Sequence, residues 1–154
     1  MIKFKMANMC MIEDENGNVL VEERKKSWQG LAFPGGKIEN NESVYDSVIR
    51  EIKEETNLNI KNLIFCGIKD WFDSKKNEKI IIFLFKTNDF DGVLLESSDE
   101  GKNYWVKKSE LLKLNLSPGF ENDLELFDND NFEIFWKELN NEWIRELKWW
   151  QLEF

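Results

Sequence analysis

The chain reads as an α+β fold, and three stretches carry that expectation. Residues 80–85 form an unbroken run of isoleucine, leucine and phenylalanine, the composition of a strand covered on both faces. Asn16-Gly17 sits between two strand-like runs and signals a tight reversal. Val44, Tyr45, Val48, Ile49 and Ile52 recur at the spacing of one helix face.

Taken in order, residues 3–13 and 18–24 read as strands around Glu15-Asn16-Gly17-Asn18. Residues 31–33 lead into the tight turn Pro34-Gly35-Gly36. Ser43, with Asp46 three residues on, resembles a helix-starting capping box, and the helix runs to about Thr56. Residues 60–71 and 79–87 read as a long hairpin around Ser74-Lys75-Lys76-Asn77. Tyr104-Trp105-Val106 is a short strand, followed by a short helix over residues 109–113. Near the end, Phe132, Phe135, Trp136, Leu139, Trp143, Ile144, Leu147 and Trp150 recur three and four residues apart, which predicts an amphipathic C-terminal helix. That helix either packs on the chain's own sheet, covers the substrate as a lid, or makes a homodimer contact. Its acids Glu133, Glu138, Glu142 and Glu146 argue against a membrane interface. No repeat or linker divides the chain, so residues 1–154 are read as one domain with room for a real core.

Composition narrows the function. A hydrophobic content of 42% and an aromatic content of 14% argue against disorder. Cys10 and Cys66 make no C-x-x-C pair and suggest small core residues in a reducing compartment. No apolar run approaches membrane-spanning length and the first residues lack a signal-peptide pattern, so a cytoplasmic protein with no membrane partner is expected. A net charge of −9 argues against general nucleic-acid binding, although metal ions would still allow a phosphate substrate. The absence of histidine excludes a Ser-His-Asp triad, a Cys-His pair and a His-ligated zinc site. Acid–base chemistry is left to carboxylates, lysine, tyrosine, cysteine or water activated by a metal.

Glu51, Glu54 and Glu55 then stand out. At i, i+3 and i+4 they share one stripe of the helix, where like charges cost about 0.2–0.5 kcal/mol per pair. A solvated face in an acidic protein would explain three such acids taken alone. Glu55, however, borders the apolar arc, an awkward place for an idle charge. A hard divalent cation offsets the repulsion, because it takes oxygen ligands.

The segment from Gly36 to Leu58 resembles the Nudix box, G-x5-E-x7-R-E-U-x-E-E-x-G-U, with U a bulky apolar residue. Gly36, Glu42, Arg50, Glu51, Ile52, Glu54, Glu55 and Leu58 all match. Asn57 replaces the final glycine, and asparagine is the next-best residue for a left-handed helix end. The resemblance implies an α/β/α sandwich around a mixed sheet, acting on a small nucleotide. It implies Mg²⁺ or Mn²⁺ held by Glu51, Glu54, Glu55 and the Gly35 carbonyl, with Arg50 orienting the carboxylates and Glu42 as its partner. Gly36 and Glu42 would be structural parts of the motif. Lys37 would meet phosphate, or remain a solvated loop lysine.

The segment from Ser98 to Val106 resembles the loop that supplies a further glutamate in MutT-like members, which makes Glu100 a candidate ligand or water-orienting group. The same branch implies hydrolysis of an oxidised purine nucleotide such as 8-oxo-dGTP to the monophosphate and pyrophosphate. Asn122 is the candidate base reader, with Asp123 competing, and Phe33, Trp28 or Phe120 would stack on the base or belong to the core. Other readings are a Nudix hydrolase of ADP-ribose, a dinucleoside polyphosphate or capped RNA, and a non-catalytic nucleotide sensor.

Overall fold

The computed structural model describes residues 1–26, 28–128 and 132–149. Its strands are β1 (Lys3–Ile12), β2 (Asn18–Arg24), β3 (Gly30–Ala32), β4 (Asn59–Lys61), β5 (Ile64–Asp73), β6 (Glu78–Thr87), β7 (Asp89–Asp91), β8 (Gly101–Lys107), β9 (Glu133–Leu139) and β10 (Glu142–Lys148). The helices are α1 (Val44–Thr56) and α2 (Phe120–Asp128), with a 3-10 turn over Lys108–Lys113. A five-stranded mixed sheet runs β1-β6-β5-β9-β10, with β1–β6 and β5–β9 parallel. An antiparallel sheet, β3-β2-β8, lies beside it.

Period-two alternation along the strands sorts side chains onto two cores. Met11 on β1, Val19 and Val21 on β2 and Leu84 on β6 join Phe120, Leu126 and Phe127 of α2. Their neighbours Cys10, Ile12, Leu20 and Phe85 join Val48 and Ile52 of α1. One helix therefore covers each face, and the sandwich expected from the resemblance is present.

The helix α1 begins and ends as its sequence predicts. Ser43 accepts a hydrogen bond from the Asp46 N–H at 2.9 Å, and Asn57 closes the last turn at φ 66°. The Asn16-Gly17 reversal also forms, but after the Glu13–Val19 bridge β1 and β2 join different sheets.

One helix, α2, has no counterpart among the expected elements; it starts at Phe120 and brings Phe120, Leu126 and Phe127 into the core. The C-terminal segment is a hairpin and not the expected amphipathic helix. Asn140 and Asn141 both take positive φ, 52° and 64°, as a two-residue type I′ turn requires. β9 then pairs parallel to β5, which places Ile134 in the core at 0% exposure with Trp136 packed beside it. Hydrogen bonding to an available sheet edge, plus burial of Ile134, outweighs helical spacing. The dimer contact expected of that helix loses the helix, and Trp143, Ile144 and Leu147 remain exposed. Trp150, the last member of the stripe, lies outside the described residues. Among the described residues no helix is long and apolar enough to cross a membrane.

Candidate functional site

The site is built where α1 meets the Pro34-Gly35-Gly36 loop. That loop is laid along β1: the Cys10 N–H donates to the Pro34 carbonyl at 2.9 Å and the Asn8 N–H to the Gly36 carbonyl at 2.8 Å. Asn8, buried, also accepts from the Gly36 N–H through Oδ1 and donates to the Ser47 hydroxyl of α1. Loop, strand and helix are thus tied at one point. Among the described residues no protein donor reaches the Gly35 carbonyl, which leaves it free for an outside partner.

Arg50 organises the acids. Its Nε and Nη2 donate to the two carboxylate oxygens of Glu42 at 2.9 and 2.7 Å, a bidentate pair, and Nη2 also donates to the Lys37 carbonyl. Its Nη1 donates to Glu51 at 2.9 Å and to Glu54 at 3.2 Å. Arg50 thus touches Glu42, Glu51 and Glu54 at once. The Arg50 hydrogen bonds hold the Glu42 carboxyl down at about 2.

Glu55 points the other way, into the protein, at 8% exposure. It meets a residue the sequence reading passed over. Glu22 of β2 lies at 5% exposure on the α1 face, two residues beyond Leu20. Burial pushes the Glu55 carboxyl far up, and the Glu22 charge adds to the effect. Burial also raises Glu22 and Glu51. Glu100, half-exposed and 3.7 Å from Lys26, stands close enough for its charge to be felt by Glu22, Glu51 and Glu55. The signal that could have found Glu22 is the alternation in Asn18–Arg24: the face that carries Leu20 carries Glu22 next. Asn8, Ser47 and Asn103 were passed over too. The Asn103 amide donates to the Glu55 and Leu95 carbonyls and ties β8 to the end of α1.

The remaining candidates divide. Lys37 is exposed, and among the described residues its ammonium makes no ion pair. Phe33 is a core residue, edge-on to Phe120 at 4.7 Å and Phe127 at 5.1 Å, so the stacking role suggested for it gives way to packing. Phe120 is equally buried, whereas Trp28 is 60% exposed. Asn122 is half-buried in the first turn of α2. An open cleft of about 290 Å³ is lined by Glu23, Leu31, Tyr104, Leu114 and Asn115, on the strand face opposite Glu22, and includes no acid of the motif.

Asp123, beside Asn122, is buried and paired with Lys69 at 3.1 Å. Burial outweighs the pull of Lys69 and pushes its carboxyl up to about 6. The folded state therefore keeps a proton that the unfolded chain releases near its ordinary value of 3.8. Stability from this group is full below that value and is lost as pH rises to about 6. Asp123→Asn should remove this slope. The wild type should lose up to about 3 kcal/mol relative to the variant across that window. Melting curves of the two proteins that run parallel with pH would contradict this.

Glu51, Glu54 and Glu55 thus offer oxygen donors of the kind a hard cation takes, although among the described residues no three acids stand at ligand spacing. The NUDIX domain model matches residues 3–128. Over 114 residues the chain is 32% identical to the Nudix hydrolase YvcI of Bacillus subtilis (strain 168), covering 71% of this chain and 70% of that protein. It is 31% identical over 121 residues to the ADP-ribose pyrophosphatase of Methanocaldococcus jannaschii, covering 78% and 68%. The crystal structure of a MutT protein from Bacillus halodurans superposes with a TM-score of 0.78 at 29% identity, covering 93% of this chain and 97% of that one.

Proposed function

The chain belongs to the Nudix hydrolase family, and on that premise we propose that it cleaves a nucleoside triphosphate, such as 8-oxo-dGTP, to the monophosphate and pyrophosphate. The observation that supports this most is the set of carboxylates gathered by Arg50, with the Glu51 carboxyl against Gly36 of the tight turn. Glu51, Glu54, Glu55 and the Gly35 carbonyl would hold Mg²⁺ or Mn²⁺. The residues fit such an ion, because the Glu55 Oε2 is buried with no protein partner and the other donors are oxygens. When bound, the ion would neutralise phosphate charge and lower the pKa of an attacking water.

The chain's own residues do the rest. Arg50, fixed by Glu42, holds Glu51 and Glu54 in place so that little reorganisation is needed. Glu54 is 59% exposed and is the acid of the stripe best placed to orient water and accept its proton. Glu100 would act beside it, as a ligand or as a second water-orienting group. Lys37, on the exposed loop, would meet the phosphate chain.

The base is the finer part of the proposal. An oxidised purine carries a donor at N7 and an oxygen at C8, where guanine has an acceptor and a hydrogen. An amide can both donate and accept at that edge, which suits Asn122. Ordinary guanine would leave a buried polar group unpaired. The expected result is a higher kcat/KM for 8-oxo-dGTP than for dGTP, with Asn122→Ala narrowing the ratio and leaving metal dependence intact. Equal kcat/KM values would reject this base preference. A second reading, ADP-ribose as substrate, is favoured by the identity to the M. jannaschii enzyme. Assaying all three nucleotides with Mg²⁺ separates the two.

A further inference from the structure

Glu22 is a buried acid outside the family motif, and among the described residues it makes no ion pair. It sits between Ala32 of β3 and Asn103 of β8 in the sheet register. Its carboxyl lies within hydrogen-bonding range of Glu55. The Glu22 Oε2, the Glu55 Oε2 and the Asn103 Oδ1 are each buried, and no protein donor reaches any of them among the described residues. Arg24 attracts Glu22 electrostatically but makes no ion pair with it. Arg50 is taken up by Glu42, Glu51 and Glu54.

Buried acids without a cation are unfavourable, and native proteins leave few buried polar atoms unpaired. A hydrophobic or amide side chain at position 22 would continue the β2 face at lower cost. We propose that Glu22 is a further ligand of the divalent cation, supplied from the sheet opposite the helix that carries Glu51 and Glu55. The inference rests on the metal-dependent reading above. It makes the site a clamp between two elements, with α1 on one side and β2 on the other. Among the described residues no three acids yet stand at ligand spacing. Glu51 is hydrogen-bonded to Arg50, and the Glu22–Glu55 pair is the part of the set that no protein cation satisfies.

The test is Mn²⁺ titration of the whole chain without nucleotide, reading free Mn²⁺ by electron paramagnetic resonance. Glu22→Gln keeps the shape and can hydrogen-bond Glu55. The expected result is a Kd for Mn²⁺ raised tenfold or more, with a metal-free melting temperature no lower than that of the wild type. Glu23→Gln, on the opposite strand face, should bind as the wild type does. A Kd within twofold of wild type in Glu22→Gln would overturn the proposal and leave a purely structural acid pair. Should Glu22→Gln not fold, wild-type crystals with Mn²⁺ decide. A Glu22 oxygen at about 2.1 Å from the ion supports the proposal, and one beyond direct contact overturns it. If the wild type itself binds no Mn²⁺, the metal-dependent reading fails and takes Glu22 with it. That outcome is distinct from a wild type that binds Mn²⁺ with an indifferent Glu22→Gln.

Discussion

Glu54→Gln and Glu55→Gln should each lower Mg²⁺-dependent hydrolysis by about 10²–10³-fold while the protein stays folded. Stabilisation of a phosphoryl transition state by a metal is worth several kcal/mol, which converts to rate factors of that size. The two variants reach the result from different sides. Glu54 is mostly exposed and contributes one hydrogen bond to Arg50, so its loss should change stability by about 0.5 kcal/mol or less. Glu55 is buried against Glu22, and an amide there removes a like-charge contact. Its metal-free melting temperature should match or exceed the wild type. Circular dichroism melts and a pyrophosphate-release assay on the same samples check both halves. Near wild-type turnover in both variants would remove these residues from the site, and unfolding would give them a structural role.

The parts of this molecule that were legible in its sequence are those governed by neighbours along the chain. Ser43 and Asn57 bound α1 because capping and left-handed termini are local chemistry. Glu55 was readable as a burdened charge because helical spacing alone puts it beside Ile52. Arg50 meets Glu42 eight residues away only because the loop between them folds back, and there the resemblance to a known motif supplied what spacing could not.

What was not legible depends on distant partners. The C-terminal apolar residues fit a helical stripe only if Ile134 is left out, and among the described residues of that segment Ile134 is the fully buried one. Its burial depends on β5, more than sixty residues earlier, offering an edge in parallel register. The local signal was present in Asn140-Asn141, a pair suited to a type I′ turn, but helical periodicity competed with it. Glu22 and Asn8 were missed for a related reason. A polar residue in a strand reads as solvent-facing until the layer that covers it is known, and here α1 and the Gly-Gly loop cover both.

The two adjacent glycines should separate folding from catalysis. A Cβ at Gly35 would run into the backbone oxygen of Asn8, with the Asn8 carbon and Met9 Cα each at 2.8 Å. That backbone cannot retreat, since Asn8 and Met9 are paired with Phe83 and Leu84 of β6 and Asn8 also holds Gly36. Gly35→Ala should therefore destabilise the fold by about 3 kcal/mol, at the upper end of the usual cost of overpacking. A Cβ at Gly36 would instead meet the carboxyl group of Glu51. A side-chain end can swing aside, so Gly36→Ala should cost only about 1 kcal/mol, chiefly the Arg50 hydrogen bond that Glu51 gives up. Its effect should fall on the metal site, with hydrolysis reduced about a hundredfold and partly recovered at high Mg²⁺. Thermal melts and Mg²⁺ titrations of activity on both variants give the comparison. A Gly36→Ala protein that melts far below wild type, or one with unchanged Mg²⁺ dependence, would mean that Glu51 does not hold the ion from the position it occupies beside this turn.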